Sequence, residues 1–361
     1  MVVAIAQLAH LFAHHPDWHG ALVAGGLFFA VFLAWQGFSF YADRFDTDDL
    51  PFRVATFAQM LALLALAMQL RDVAEGHHTG FAIAFAILRG ILVALYGRAY
   101  RHAPSARPLI RRYGSAYAVS VALWLGSALV PAPWWAVLWA VALLLDLSMP
   151  PLNTRLHRSI PVDPAHVPER FGLFTIIVLG ELVVTVAIGS AEAAWSAAAV
   201  MVAGAGFAVA ACVWWLYFER LTGQELRPAA TPIVTFAYAH LPLLAALMYV
   251  AGGLSVLVRP EDESAARAGA WALCGGVAVF LCALNAAHAQ LGARPERQAV
   301  WARWFAAVTV LALPLVARTP LVVTAATLTV LVVLVAYEGI MCAPDEHSAR
   351  RADPHSTPTH D

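Results

Sequence analysis

Apolar and polar positions along this chain fall into long blocks rather than the short spacing of a half-buried surface helix. Apolar runs long enough to cross a bilayer are separated by short polar or proline-rich breaks. They cover residues 20–41, 53–70, 79–97, 113–130 and 134–150, and after a longer polar connector 171–189, 194–218, 232–258, 267–291, 299–317 and 320–342. A shorter first run at 1–13 brings the count to twelve, six on each side of the connector. The pattern predicts an all-α polytopic membrane bundle, with one six-helix half over 1–165, a second over 166–342, and a polar tail at 343–361 read as disordered.

Composition sharpens this picture. Of 361 residues, 61% are hydrophobic and 12% charged, roughly half the charged fraction of a soluble protein. Every basic side chain is an arginine, and 17 of the 22 lie on, or at the edge of, the even-numbered connections and the tail. Four others, Arg71, Arg259, Arg267 and Arg318, lie on the odd-numbered ones, and Arg89 falls inside a run. Basic residues collect on the cytoplasmic side, so the split predicts twelve spans with both termini in the cytoplasm, and the all-arginine basic set fits a GC-rich bacterial gene. A net charge of −1 gives nucleic acid no basic surface, and the lipid bilayer is the expected partner. Cys212, Cys274, Cys282 and Cys342 sit in apolar runs without CxxC spacing and read as small packing residues.

The two halves echo one another. Tyr41-Ala42-Asp43-Arg44-Phe45 closes the second run and Tyr217-Phe218-Glu219-Arg220-Leu221 the eighth, and Asp146 and Glu338 sit late in the sixth and twelfth. An even number of spans per repeat predicts halves related by an axis along the membrane normal.

The strings YADRFDTDDLPFR and HVPERFGLFTIIVLGE together resemble the bacterial low temperature requirement A (LtrA) family of integral membrane proteins. The likeness covers most of the chain and implies a location and an architecture, not a reaction. Chains of this kind open with an acidic, Phe-rich lead into VFVVAIAQLAH, whereas this one starts Met1-Val2-Val3-Ala4-Ile5-Ala6-Gln7. The expectation is therefore a natural start upstream of Met1, with an acid equivalent to Glu169.

Ionisable groups at membrane depth carry the chemistry, since each costs roughly 2.5–3.5 kcal/mol at a helix centre. Glu181 lies about ten residues past Phe171, near the expected bilayer midplane, with Thr185 on its face. Two readings stand: Glu181 pairs with Arg89 and locks the bundle, or it serves proton, ion or solute passage with Arg89 as countercharge. Asn285 and His288, spaced i, i+3, read as a relay or as a helix–helix hydrogen bond. Asp146 and Glu338 read as snorkelling or capping acids. The loop after the second run carries Asp43, Asp46, Asp48 and Asp49 alongside Arg44 and Arg53 and reads as an ionic latch with an N-cap, joined by Glu169, Arg170, Glu219 and Arg220. His10 and His14 lack the further ligands that a metal needs, so no metal and no cofactor is expected. No hydrolase, kinase or redox motif occurs, so the expectation is a non-enzymatic protein. Transport or permeation linked to a proton or cation comes first. A non-transporting membrane protein comes second, and an embedded lipid enzyme third.

Overall fold

The computed structural model describes residues 1–341 apart from 159, 193–195, 222, 294 and 318, so the predicted tail and Arg318 lie outside the described residues. The first half consists of α1 (Val2–His14), α2 (Trp18–Phe45), α3 (Leu50–Met68), the single turn α4 (Leu70–Ala74), α5 (Thr79–His102), α6 (Arg107–Ser127) and α7 (Trp134–Leu152). The second consists of α8 (His166–Glu192), α9 (Ala197–Leu221), α10 (Ala230–Val258), α11 (Glu263–His288), α12 (Arg297–Val316) and α13 (Pro320–Met341). Among the described residues there is no strand, only an isolated bridge between Leu226 and Leu291.

Each predicted apolar run overlaps a helix. Nine of the described helices are long and apolar enough to cross a membrane, namely α2, α3 with α4, α5, α7 and α9 to α13. With α3 and α4 taken together the described helices number twelve, of which nine meet this measure. Helix α1 has 13 residues, α6 opens with Arg107, Arg111 and Arg112, and α8 opens with Glu169 and Arg170 close to its start.

Local chemistry sets several starts. Asp17 accepts the Gly20 N–H at 2.7 Å ahead of α2, and Asp262 accepts that of Ala265 at 2.7 Å ahead of α11. Asp49 accepts the Phe52 N–H at 3.0 Å, with Pro51 in the first turn of α3. Each satisfies a backbone donor that the helix itself leaves free.

Lipid offers no hydrophobic drive between helices, so close packing of small residues takes over. The α10–α11 crossing shows this most clearly. A Cβ on Gly276 would lie 2.8 Å from the Ala246 carbonyl oxygen, and one on Gly253 would lie 2.8 Å from the Gly269 oxygen. Gly252 lets α1 approach α10 in the same way, where a Cβ would meet Ala9 O at 3.0 Å. One apolar core draws on both halves, and Trp35 of α2 packs on Phe171 and Phe174 of α8 at 5.0 and 4.7 Å between ring centroids.

Candidate functional site

Two of the buried acids, Asp146 and Glu338, pair with buried arginine, and each sits on the last helix of its half. Asp146 of α7 is 6% exposed and Arg89 of α5 is 1% exposed. Arg89 Nε donates to Asp146 Oδ2 at 2.8 Å, and Arg89 Nη2 lies 2.8 Å from the same oxygen. Ser120 of α6 adds its hydroxyl at 3.4 Å. The guanidinium lies over the rings of Phe85 and Tyr117, 5.0 Å from each centroid, a favourable site for a cation away from water.

This pair corrects the expectation that joined Arg89 to Glu181. Helix α5 packs on α3, α6 and α2, whereas α8 packs on α9, α10 and α1, so the two residues lie in different neighbourhoods. Glu181 is buried and accepts the Thr185 hydroxyl at 3.0 Å on its own helix. Asp146 and Glu338 are likewise no snorkelling acids, because each is enclosed with arginine.

The Arg89–Asp146 pair is incompletely satisfied. Arg89 Nη1, Asp146 Oδ1 and Gln36 Nε2 are buried and have no hydrogen-bond partner. All three residues line one narrow chamber of about 10 Å³, walled also by Gly37, Tyr96 and Tyr117. Such a volume suits a single water-sized occupant. Gly37 makes the approach possible, since a Cβ there would lie 2.9 Å from Arg89 Nη1 and 3.0 Å from the Tyr117 hydroxyl.

Phe40, Tyr113 and Pro150 border both this chamber and a vestibule of about 640 Å³ at the arginine-rich end of the bundle. Arg44, His157 and Arg158 face the vestibule from the first half, and Ile233 and Val234 of α10 from the second. His157 shares a 2.9 Å hydrogen bond with the Tyr113 hydroxyl. Burial, with the Arg44 charge assisting, pushes its imidazole down to about 4, so the ring is neutral at pH 7. On the opposite side of the pair, Phe81, Phe85, Trp124 and Trp139 pack ring on ring, with Phe85 and Trp124 stacked at 4.1 Å. The polar chamber thus shares walls with the vestibule on one side and is backed by packed aromatic rings on the other.

The second network is closed. Arg303 of α12, 0% exposed, binds both carboxylate oxygens of Glu338 at 2.7 and 2.8 Å. Arg220 adds Nε to Glu338 Oε2 at 2.9 Å. Asn285 Oδ1 and His288 Nδ1 accept from Arg303 Nη1 at 3.3 and 3.2 Å. An arginine only donates, so His288 Nδ1 is unprotonated there. Asn285 and His288 therefore hold Arg303 and do not extend from Glu181.

The two sequence strings meet at the connector. Asp43 Oδ1 lies 3.9 Å from both Arg170 Nε and His166 Nδ1, and Oδ2 accepts the Asp163 N–H at 3.1 Å. Asp48 pairs with Arg53 at 2.9 Å at the surface, Asp46 accepts the Asp48 N–H at 2.9 Å, and Asp49 pairs with Arg98. Glu169 and Glu219 are exposed. Gln36, Gly37, Tyr117, Ser120 and Arg303 escaped sequence reasoning. Gln36 had a signal, as the polar residue in the middle of FLAWQGFSF, and Arg303 had another, seven residues into α12.

Residues 1–337 match the family described as bacterial low temperature requirement A protein (LtrA). An uncharacterized protein of Rhizobium meliloti (strain 1021) is 25% identical over 299 residues, covering 78% of this chain and 72% of the relative. No solved structure matches.

Proposed function

The chain belongs to the bacterial low temperature requirement A family, and from that premise we propose that it is a transport or permeation protein that moves a small polar solute linked to a proton or cation. The observation carrying this reading is the cluster of unpartnered Arg89 Nη1, Asp146 Oδ1 and Gln36 Nε2 atoms at the end of the vestibule. A buried charged atom left without a partner loses its full hydration free energy, so such atoms persist where something polar visits them. Asp146, rather than Glu181, is the acid of this reading, and Arg89 holds its charge. The aromatic plug over the pair is the closed gate of an alternating-access cycle, with the vestibule as the open side.

The same reading has no enzymatic step and no cofactor. It places twelve crossings in a bacterial inner membrane, both termini in the cytoplasm, with two parallel six-helix halves. Shared neighbours support that repeat: α1 packs on α2 and α3 as α8 packs on α9 and α10, α5 packs on α3 and α6 as α11 packs on α10 and α12, and α7 packs on α6 and α2 as α13 packs on α12 and α9. Proton and cation flux in proteoliposomes tests the function. Asp146→Asn is expected to lower flux at least tenfold while Glu181→Gln has the smaller effect. Unchanged flux in folded Asp146→Asn protein would leave a membrane protein whose buried charges serve packing alone.

A further inference from the structure

Arg44 and Arg220 occupy matching places in the two sequence strings, yet their surroundings differ. Arg220 has Glu338 for a counter-ion at 2.9 Å. Arg44 donates to two backbone carbonyls, Ile160 O at 3.3 Å and Phe40 O at 3.4 Å, and lies over the Phe40 ring, 5.6 Å from its centroid, while among the described residues no carboxylate lies within 4 Å of it. It lines the vestibule, where Arg158, exposed and also without an acid partner, lines the same space. Asp43 and Asp163 share that wall: Asp43 Oδ1 lies 3.9 Å from Arg170 and makes no hydrogen bond, Asp43 Oδ2 accepts the Asp163 N–H, and Asp163 Oδ2 lies 3.6 Å from His166. Neither acid reaches a guanidinium of this wall, and His157 is neutral, so Arg44 and Arg158 present their charge to the space without a directly paired acid among the described residues.

The rest of the wall is apolar, including Phe40, Pro150, Val162, Ile233 and Val234, and about 640 Å³ falls within the roughly 300–1,000 Å³ of small-molecule sites. An inorganic anion would leave that apolar surface unused, whereas a cation would meet two arginines with no acid directly paired to them. We infer that the vestibule binds a small organic anion, with its carboxylate on Arg44 and Arg158 and its apolar body against Phe40 and the α10 wall. Guanidinium donors match a carboxylate with two parallel hydrogen bonds. The assignment rests on the transport reading, for which it names the class of solute.

Binding of benzoate, with benzamide as its neutral counterpart, tests this on the full chain in phosphatidylcholine nanodiscs, where no anionic headgroup competes. Benzoate is expected to bind at least tenfold more tightly than benzamide. Arg44→Gln should weaken benzoate at least tenfold and Arg158→Gln several-fold, with benzamide unmoved. Because Arg158 is exposed and unpaired, its variant keeps the test valid if Arg44→Gln does not fold. Equal binding of benzamide, or benzoate binding indifferent to Arg158 and Arg44, overturns the assignment. Asp146-dependent flux without benzoate binding removes the anion and leaves transport standing. Arginine-dependent benzoate binding with flux indifferent to Asp146 upholds the anion site and removes transport.

Discussion

Arg303 and Arg89 are both buried guanidinium groups, but Arg303 is fully matched by its partners whereas Arg89 Nη1 has none. Arg303 is matched to both oxygens of Glu338, to Asn285 and to His288. Glu338→Ala would strand Arg303 with neither water nor acid, and should destabilise the protein by about 3–5 kcal/mol, as removal of one member of a buried pair does. Thermal unfolding in detergent checks this, and a loss below about 1 kcal/mol would mean that water reaches Arg303. His157 gives a pH prediction. Its imidazole falls from an ordinary 6.5 to about 4 in the fold, so between those values the unfolded chain binds the extra proton. The stability it contributes is complete above pH 6.5 and is lost as pH falls toward 4, on the order of 3 kcal/mol at most. The difference in stability between wild type and His157→Gln should therefore shrink from pH 7 to pH 5, and a constant difference would place the imidazole in water.

At the scale of elements, backbone contact at glycine decides how closely helices cross. Gly276 faces the Ala246 carbonyl across α10–α11, while a Cβ on neighbouring Gly275 would meet nothing within 4 Å. Gly276→Val should overpack the seam and cost about 1–3 kcal/mol or more. Gly275→Ala should be neutral or stabilising, since glycine inside a helix costs up to about 1 kcal/mol against alanine. Paired unfolding curves read the contrast, and equal losses would deny the seam its role. The α5–α6–α7 aromatic plug makes a functional prediction. Trp124→Ala removes the ring stacked on Phe85 at 4.1 Å and should raise passive leak across liposomes several-fold, while Trp124→Phe keeps most of the seal. Leak that stays at the wild-type level in Trp124→Ala would show that the seal lies elsewhere.

For the whole molecule, topology follows from charge placement. With twelve crossings, cysteines introduced at Glu75 and Glu261 should react with an impermeant maleimide in intact cells, and those at Ser105 and Glu225 only after permeabilisation. Labelling of all four from one side would break the count. Much of this architecture was legible in one dimension. An apolar run must hydrogen-bond its own backbone in lipid, so run lengths predicted helices, and the boundaries Trp134–Leu152 and Ala230–Val258 fall within a few residues of the runs read for them. The presence of charge at membrane depth was legible too, because Arg89, Asp146 and Glu181 stand out in apolar sequence. Their partners were not. Arg89 and Asp146 are 57 positions apart and meet because α5, α6 and α7 pack as neighbours, whereas Glu181, equally conspicuous in the sequence, is carried away on α8. Membrane insertion depends on hydropathy and charge summed along the chain, which the sequence alone determines. Pairing inside the bundle depends on which helices touch and on the rotation each presents, and at Gly37, where an added methyl group would lie 2.9 Å from Arg89, only the tertiary structure decided it.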